Sequence, residues 1–301
     1  MWVLAFALLL SAQDPCQSPD QSTLKQSARD AMQRRQFDPA AQRFQSALVA
    51  CPADRGLQLE LANAYFMGQH FRQAKEAALQ VLRADLGNAA ALEIKGNSEY
   101  LQGDTPAAIG TFIDLLERHP ENQEAAYMLG RIYYQEDNDD QAIGQFERVL
   151  RLNAHSYKAY DNLGLCYEAK GDNEKATRYF LTAIKLVEKD HSEYDTAYAD
   201  LAELLLKTGD NQKAFDAASI AAKRNPASAR NFYLGGKALE QLEKTDLALN
   251  WLQRSVSLDP TYPQPLYVLA RIYHKLGDEQ KAADTRKKFL ELQAKLPAKR
   301  R

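Results

Sequence analysis

Alanine stands at residues 40, 74, 108, 142 and 176, then at 214, 248 and 282, a return every 34 positions with one four-residue slip. A chain built once around a unique core produces no such beat. Twelve positions ahead of each alanine stands a residue with almost no side chain: Ala28, Ala62, Gly96, Gly130, Gly164, Ala202, Gly236 and Ala270. Two series of small residues at a fixed offset predict two helices per repeat, pressed together. Only glycine and alanine let helix axes approach at the short end of the usual ~8–10 Å spacing.

The helices themselves are legible as apolar stripes. Ala126, Leu129, Gly130 and Tyr133 follow the i, i+3, i+4, i+7 spacing of one helical face, and Ala142, Phe146, Val149 and Leu150 form the stripe of a second helix. Between such pairs the chain must reverse. Gly103-Asp104, Gly171-Asp172, Gly209-Asp210 and Gly277-Asp278 fall at equivalent places, where glycine can close one helix in the left-handed conformation and aspartate can cap the next. Asp38-Pro39 is expected to do the same in the first repeat, with proline at the first helical position. Pro52, Pro120, Pro226 and Pro260 recur where second helices should stop.

Counting back from these marks gives eight units: 21–54, 55–88, 89–122, 123–156, 157–190, 195–228, 229–262 and 263–296. The pattern resembles the tetratricopeptide repeat, a 34-residue helix-turn-helix with a small residue eighth, an aromatic eleventh, alanine twentieth and proline near the end. Leu163-Gly164, Tyr167, Ala176 and Phe180 carry it clearly. The resemblance implies an all-α fold, a right-handed α-solenoid of stacked helix pairs, with first helices lining a concave groove and second helices forming the outer wall. Length alone would suggest about two domains. Repetition overrides that prior, because a lone helix pair cannot bury its own stripe, and one elongated solenoid over 21–296 is expected.

Three departures from the pattern carry expectations. Lys95 and Glu99 replace leucine and tyrosine in the third unit. Either their stems pack while the heads pair at i, i+4 on a wetter face, or the helix is loosened for a partner to complete. His191, Ser192, Glu193 and Tyr194 interrupt the beat, which either lengthens a helix by about one turn or marks a joint. Arg286, followed by Lys287 and Lys288, takes the place of Phe44, Phe112, Phe146 and Phe180 in the last unit, giving an end repeat a wettable face or forming a basic docking patch.

Residues 1–12 carry no charge and hold an apolar run from Trp2 to Leu10. The run is too short to span a bilayer and reads as a secretory signal, or as a weak N-terminal anchor. A flexible lead-in over 13–20 and a basic tail over 297–301 are expected on either side of the repeats. Export, to a periplasm or cell envelope of bacterial type, makes Cys16 and Cys51 a candidate disulfide clipping the lead-in to the first unit. The alternative location is cytoplasmic. Cys166 reads as a small buried hydrophobe.

Catalytic constellations are missing from the sequence. The five histidines are scattered through different repeats, and no phosphate loop, Gly-x-Ser-x-Gly, His-Glu-x-x-His or paired-cysteine motif occurs. No enzyme activity, cofactor or metal site is expected, His191 beside Asp190 and Glu193 reading as a solvated turn. Net charge is -2 with acids and bases interleaved, which disfavours nucleic acid. No membrane span is expected beyond the N-terminal segment.

The resemblance directs residues two, five, nine, twelve and thirteen of each unit into the groove. That surface would hold Leu59, Asn63, Phe66, Asn97 and Tyr100, with Met67 and Leu101. It continues through Tyr127, Arg131 and Tyr134, and ends in Tyr233, Lys237, Tyr267, Arg271 and His274. Asp161, Glu168 and Glu203 would form an acidic stretch between. Tyrosine and arginine often dominate interface energies, so a protein or peptide partner held as an extended segment is the expected ligand. Packing of the tyrosines against neighbouring helices is the competing role. Arg29 and Glu60 stand where a carboxylate-gripping subset of the family has asparagine, so chaperone-tail recognition is not expected. Two other readings are a weakly anchored cytoplasmic adaptor and a recruiting subunit of a separate envelope enzyme.

Overall fold

In a computed structural model of the chain, Cys16 and residues 18–295 are described. The expected signal segment and basic tail lie outside the described residues. Sixteen helices follow one another among the described residues: α1 (Pro19–Gln33), α2 (Phe37–Ala50), α3 (Arg55–Met67), α4 (Phe71–Ala84), α5 (Ala89–Leu101), α6 (Thr105–Arg118), α7 (Gln123–Gln135), α8 (Asp139–Leu152), α9 (Tyr157–Ala169), α10 (Asn173–Asp190), α11 (Thr196–Thr208), α12 (Asn211–Arg224), α13 (Ala229–Gln241), α14 (Thr245–Leu258), α15 (Gln264–Lys275) and α16 (Glu279–Gln293). The fold is an all-α solenoid of helix pairs. No described helix is long and apolar enough to cross a membrane.

The chain divides after Ala125 into two compact units, where the repeat pattern leads one to expect a single array. Contacts in repeat proteins run only between neighbours, so such a chain separates into blocks without breaking any distant contact. In the first unit α1 to α6 pack in succession, and α3 also touches α5. In the second, α8 to α16 pack in succession, and the first helices α9, α11, α13 and α15 touch one another in a row. Such a row of first helices is what an inner surface requires.

In four first helices the small residue is a glycine that faces a bulky residue of the second helix. A Cβ built on Gly130 would stand 2.8 Å from Phe146 Cε1, one on Gly96 would stand 3.0 Å from Phe112 Cζ, and one on Gly236 would stand 2.7 Å from Leu252 Cγ. Gly164 is in closer conflict still with Phe180. Phe44, Phe112, Phe146 and Phe180 are buried as a result.

The turns follow the sequence at four places and depart from it at four others. Gly103, Gly171, Gly209 and Gly277 adopt φ of 77–85°, and Asp104, Asp172, Asp210 and Asp278 each accept the backbone N–H three residues on. Arg35, Gln69, Asp137 and Glu243 take the left-handed conformation at the equivalent turns without being glycine. The expected role of Asp38-Pro39 is corrected here. The reversal occurs at Arg35, so α2 starts earlier and both residues lie inside its first turn, with Asp38 2.6 Å from His70 Nε2. Similarly, α1 begins at Pro19 because Ser18 caps it, accepting from the Gln21 N–H, so the end of the expected lead-in is helical.

The four-residue interruption lengthens a helix. Helix α10 has 18 residues where α8 and α12 have 14, one additional turn. In the third unit Lys95 pairs with Glu99 at 3.0 Å, and Thr111 donates to Glu99 at 2.7 Å. The pair is not on a wet face, since Glu99 is 4% exposed, and α5 is unbroken. Cys16 and Cys51 form a disulfide with Cα atoms 5.4 Å apart, and Cys166 is buried.

Glycines in first and second helices should respond oppositely to added bulk. Gly130→Ala is expected to destabilise by roughly 1–3 kcal/mol through overpacking against Phe146, despite alanine's helical advantage. Gly144→Ala on α8, where an added Cβ meets nothing within 4 Å, should stabilise by up to about 1 kcal/mol. Urea midpoints measure both, and shifts of the same sign would contradict the close-contact account.

Candidate functional site

The expected groove residues fall on first helices in both units. In the first unit, Leu59, Asn63 and Phe66 lie on α3 and Asn97 and Tyr100 on α5. Asn63 is open, while Leu59, Phe66, Asn97 and Tyr100 are half-buried. Phe66 leans on Phe71 with ring centres 5.8 Å apart. Met67 is 45% and Leu101 50% exposed. Arg29 and Glu60 pair with each other at 2.8 Å across α1 and α3.

In the second unit one arrangement recurs on three first helices. Arg131 lies over Tyr127, Lys237 over Tyr233 and Arg271 over Tyr267, each cation 6.0 Å from the ring centre. The i, i+4 spacing stacks these side chains on one helical face. The rings differ in what lies beneath them. Tyr127 meets Phe146 edge-on at 5.8 Å and accepts a hydrogen bond from Asn162 Nδ2 at 3.3 Å. Tyr233 meets Tyr262 edge-on at 5.5 Å. Both are partly structural, as the packing alternative holds. Tyr267 rests on Phe289 but remains 51% exposed, with Arg271 and His274 open beside it. Tyr134 is half-buried on α7.

The expected acidic stretch is not a free surface, and this corrects the sequence reading. Asp161 and Asp200 are 1% and 3% exposed. Arg230 on α13 bonds Asp200 at 2.6 Å and Glu203 at 2.7 Å. Lys207 bonds Glu168 at 2.5 Å, and Tyr194 donates to Asp161 Oδ2 at 2.5 Å. The chain's own cations neutralise its acids from neighbouring repeats. Tyr194 belongs to the four inserted residues, and it stacks edge-on against Tyr157 at 4.7 Å, so the interruption of the beat supplies a member of this cluster. Asp200 and Tyr194 lie outside the groove positions, and Arg230, although second in its unit, is not among the residues that the sequence singles out. The available signal was opposite charge in successive repeats.

Burial governs protonation in this cluster. Burial and then the charge of Asp200 push the Asp161 carboxyl well above the usual carboxylate range. Burial likewise raises Asp200, although Arg230 works against it. Burial would raise Glu203, but its bond to Arg230 and the charges of Arg230, Lys207 and Lys237 together outweigh that and hold it low. Asp161 Oδ1 and Asp200 Oδ2 have no hydrogen-bond partner, which leaves an ionised pair there poorly solvated. Among the described residues, no three His, Cys, Asp or Glu side chains are grouped to hold a metal ion. His191 instead stacks on Tyr157 at 4.5 Å.

These raised values fix a pH dependence. The native state keeps protons on Asp161 and Asp200 that the unfolded chain releases near pH 4, so stability falls as pH rises from there through the raised native values. Asp161→Asn keeps an acceptor for Tyr194 and removes one charge. It should flatten the decline that begins above about pH 4 and raise the melting temperature on the alkaline side of it; a melting temperature lowered throughout would refute the assignment.

The geometry agrees with comparisons to known proteins. Sequence models described as tetratricopeptide repeat match residues 59–113, 99–163, 156–219, 199–263 and 263–296. Among curated proteins, none matches the sequence. A crystal structure of MamA is 26% identical, aligns over 56% of this chain and 97% of its own, and gives a TM-score of 0.52. A tetratricopeptide repeat protein from Parabacteroides merdae is 19% identical over 91% of this chain and all of its own, with a TM-score of 0.67. PilW, a widely conserved type IV pilus biogenesis factor, is 19% identical over 72% of this chain and 99% of its own, with a TM-score of 0.63. Matched repeats from residue 59 to residue 296 and sixteen tandem helices make this chain a member of the tetratricopeptide repeat family, a protein-interaction scaffold.

Proposed function

We propose that the chain is a non-catalytic scaffold whose first helices hold an extended segment of a partner protein, and that it acts outside the cytoplasm in a cell envelope. The observation that carries the binding reading is the exposure of Tyr267, Arg271 and His274 on α15. An aromatic ring beside a guanidinium and an imidazole, and left half open, is suited to an interface centre. Asn63, Met67 and Leu101 give the first unit an open amide between apolar side chains, suited to a peptide backbone and its apolar residues. The absence of a nucleophile–base pair or phosphate loop in the sequence supports a role without chemistry of its own.

Export is supported by two features. One is the uncharged apolar run near the N-terminus. The other is the Cys16–Cys51 disulfide, a bond that persists in oxidising compartments and is rare where glutathione keeps thiols reduced. Non-reducing peptide mapping of protein recovered from the envelope should yield the linked Cys16 and Cys51 peptides, with an N-terminus beginning after Ala12. Free thiols on both in protein taken from intact cells would count against export.

Photocrosslinking in the native cell tests the binding reading. A photoreactive residue at Asn63 or Tyr267 should trap the same protein, while one at Leu181, exposed on the second helix α10, should not. Trapping only from Leu181 would place the interaction on the second helices and defeat the proposal.

A further inference from the structure

Within the second unit, α13 and α15 carry more cations than acids, whereas α9 and α11 carry more acids than cations. Lys237 on α13 and Arg271 on α15 occupy the same place in successive repeats, on helices that touch. A cavity of about 260 Å³ is lined by Arg271, His274, Lys275 and Arg286, together with Glu240, Thr245 and Ile272. The nearby acids do not balance these cations. Glu240 holds Arg271 at 3.0 Å, Glu279 holds His274 at 2.8 Å, and Glu243 reaches Lys275 only at 4.0 Å. Among the described residues, Lys237 and Arg286 have no carboxylate within ion-pair distance.

Arg286 is the informative residue. Its counterparts Phe44, Phe112, Phe146 and Phe180 are buried rings, and Arg286 instead is exposed and lines the cavity. A wettable end face would need only an outward polar side chain. A guanidinium at the wall of a cavity that a second guanidinium, held by Glu240, also lines does more. Arginine's planar fork matches a carboxylate in two parallel hydrogen bonds. The half-open ring of Tyr267 beside Arg271 offers apolar surface to the stem of such a side chain.

We infer that the inner face of the seventh and eighth repeats receives an acidic stretch of the partner's segment, one carboxylate sitting in the cavity between Arg271 and Arg286 and another reaching Lys237. This rests on the groove-binding reading and assigns its chemistry. Spacing follows from geometry. Helix axes lie about 8–10 Å apart and an extended chain advances about 3.3 Å per residue, so the two acids should stand about three residues apart.

The test uses the full chain with its disulfide intact and two labelled, end-blocked probes, decaglutamate and decalysine, read by fluorescence anisotropy. Decaglutamate should bind and decalysine should not. Lys237→Ala with Arg286→Ala should weaken decaglutamate binding by about tenfold or more, with an unchanged circular dichroism spectrum and melting curve. Should that pair disturb folding, Arg286→Gln alone should still weaken binding measurably. Lys287→Ala with Lys288→Ala, exposed on α16, should leave it unchanged. Equal binding of both probes, undiminished binding by the first pair, or loss through Lys287 and Lys288 would overturn the inference. A partner trapped from Tyr267 through a segment lacking acids would overturn it too while leaving the groove reading intact, whereas no trapping from the first helices would remove that reading itself.

Discussion

The contact on which the structure depends is a missing side chain set against a large one. Gly96, Gly130 and Gly164 face Phe112, Phe146 and Phe180, and Gly236 faces Leu252, with no room for an additional carbon at Gly130, Gly164 or Gly236. Each such contact locks the two helices of one repeat at short range. Dispersion and apolar burial are concentrated there, between the helices of a pair and against the next. The opposite side of each first helix is thereby released from packing duty. Its side chains can be chosen for a ligand without weakening the repeat.

The inner faces use that freedom unevenly. In the first unit they combine open asparagine with exposed methionine and leucine. In the second, acids around Asp161 and Asp200 are spent on Arg230, Lys207 and Tyr194, so that part of the face is bound to itself. Such a buried ionic cluster is weak evidence for stability, and its raised carboxyls make it sensitive to pH. The stretch left open is the one where cations outnumber acids and a tyrosine is half exposed, on α13 and α15.

Much of this was legible in the sequence, because a repeated environment imposes a repeated residue. The alanine and glycine series predicted paired helices, Gly-Asp steps marked four of the turns, and Lys95 with Glu99 announced their own ion pair. Turns at Arg35, Gln69, Asp137 and Glu243 were hidden, since residues that adopt the left-handed conformation under tertiary constraint carry no compositional mark. For the same reason the sequence points to Asp38-Pro39, and not to Arg35, as the first reversal. Burial of Asp161 was hidden for a different reason. Tyr194 bonds it from 33 residues away, Arg230 reaches neighbouring Asp200 across 30 and Lys207 reaches Glu168 across 39, and only the stacked register brings these groups together. The cavity at Arg286 needed both kinds of information: a departure from the repeat, and a view of what the departure lines.

The decisive measurement is a structure of the chain bound to the segment its partner contributes. An extended backbone lying on the first helices of the second unit, with carboxylates beside Lys237 and in the cavity of Arg271 and Arg286, is the predicted result. A partner seated on the second helices, with the side chains of α13 and α15 still facing solvent, would contradict it.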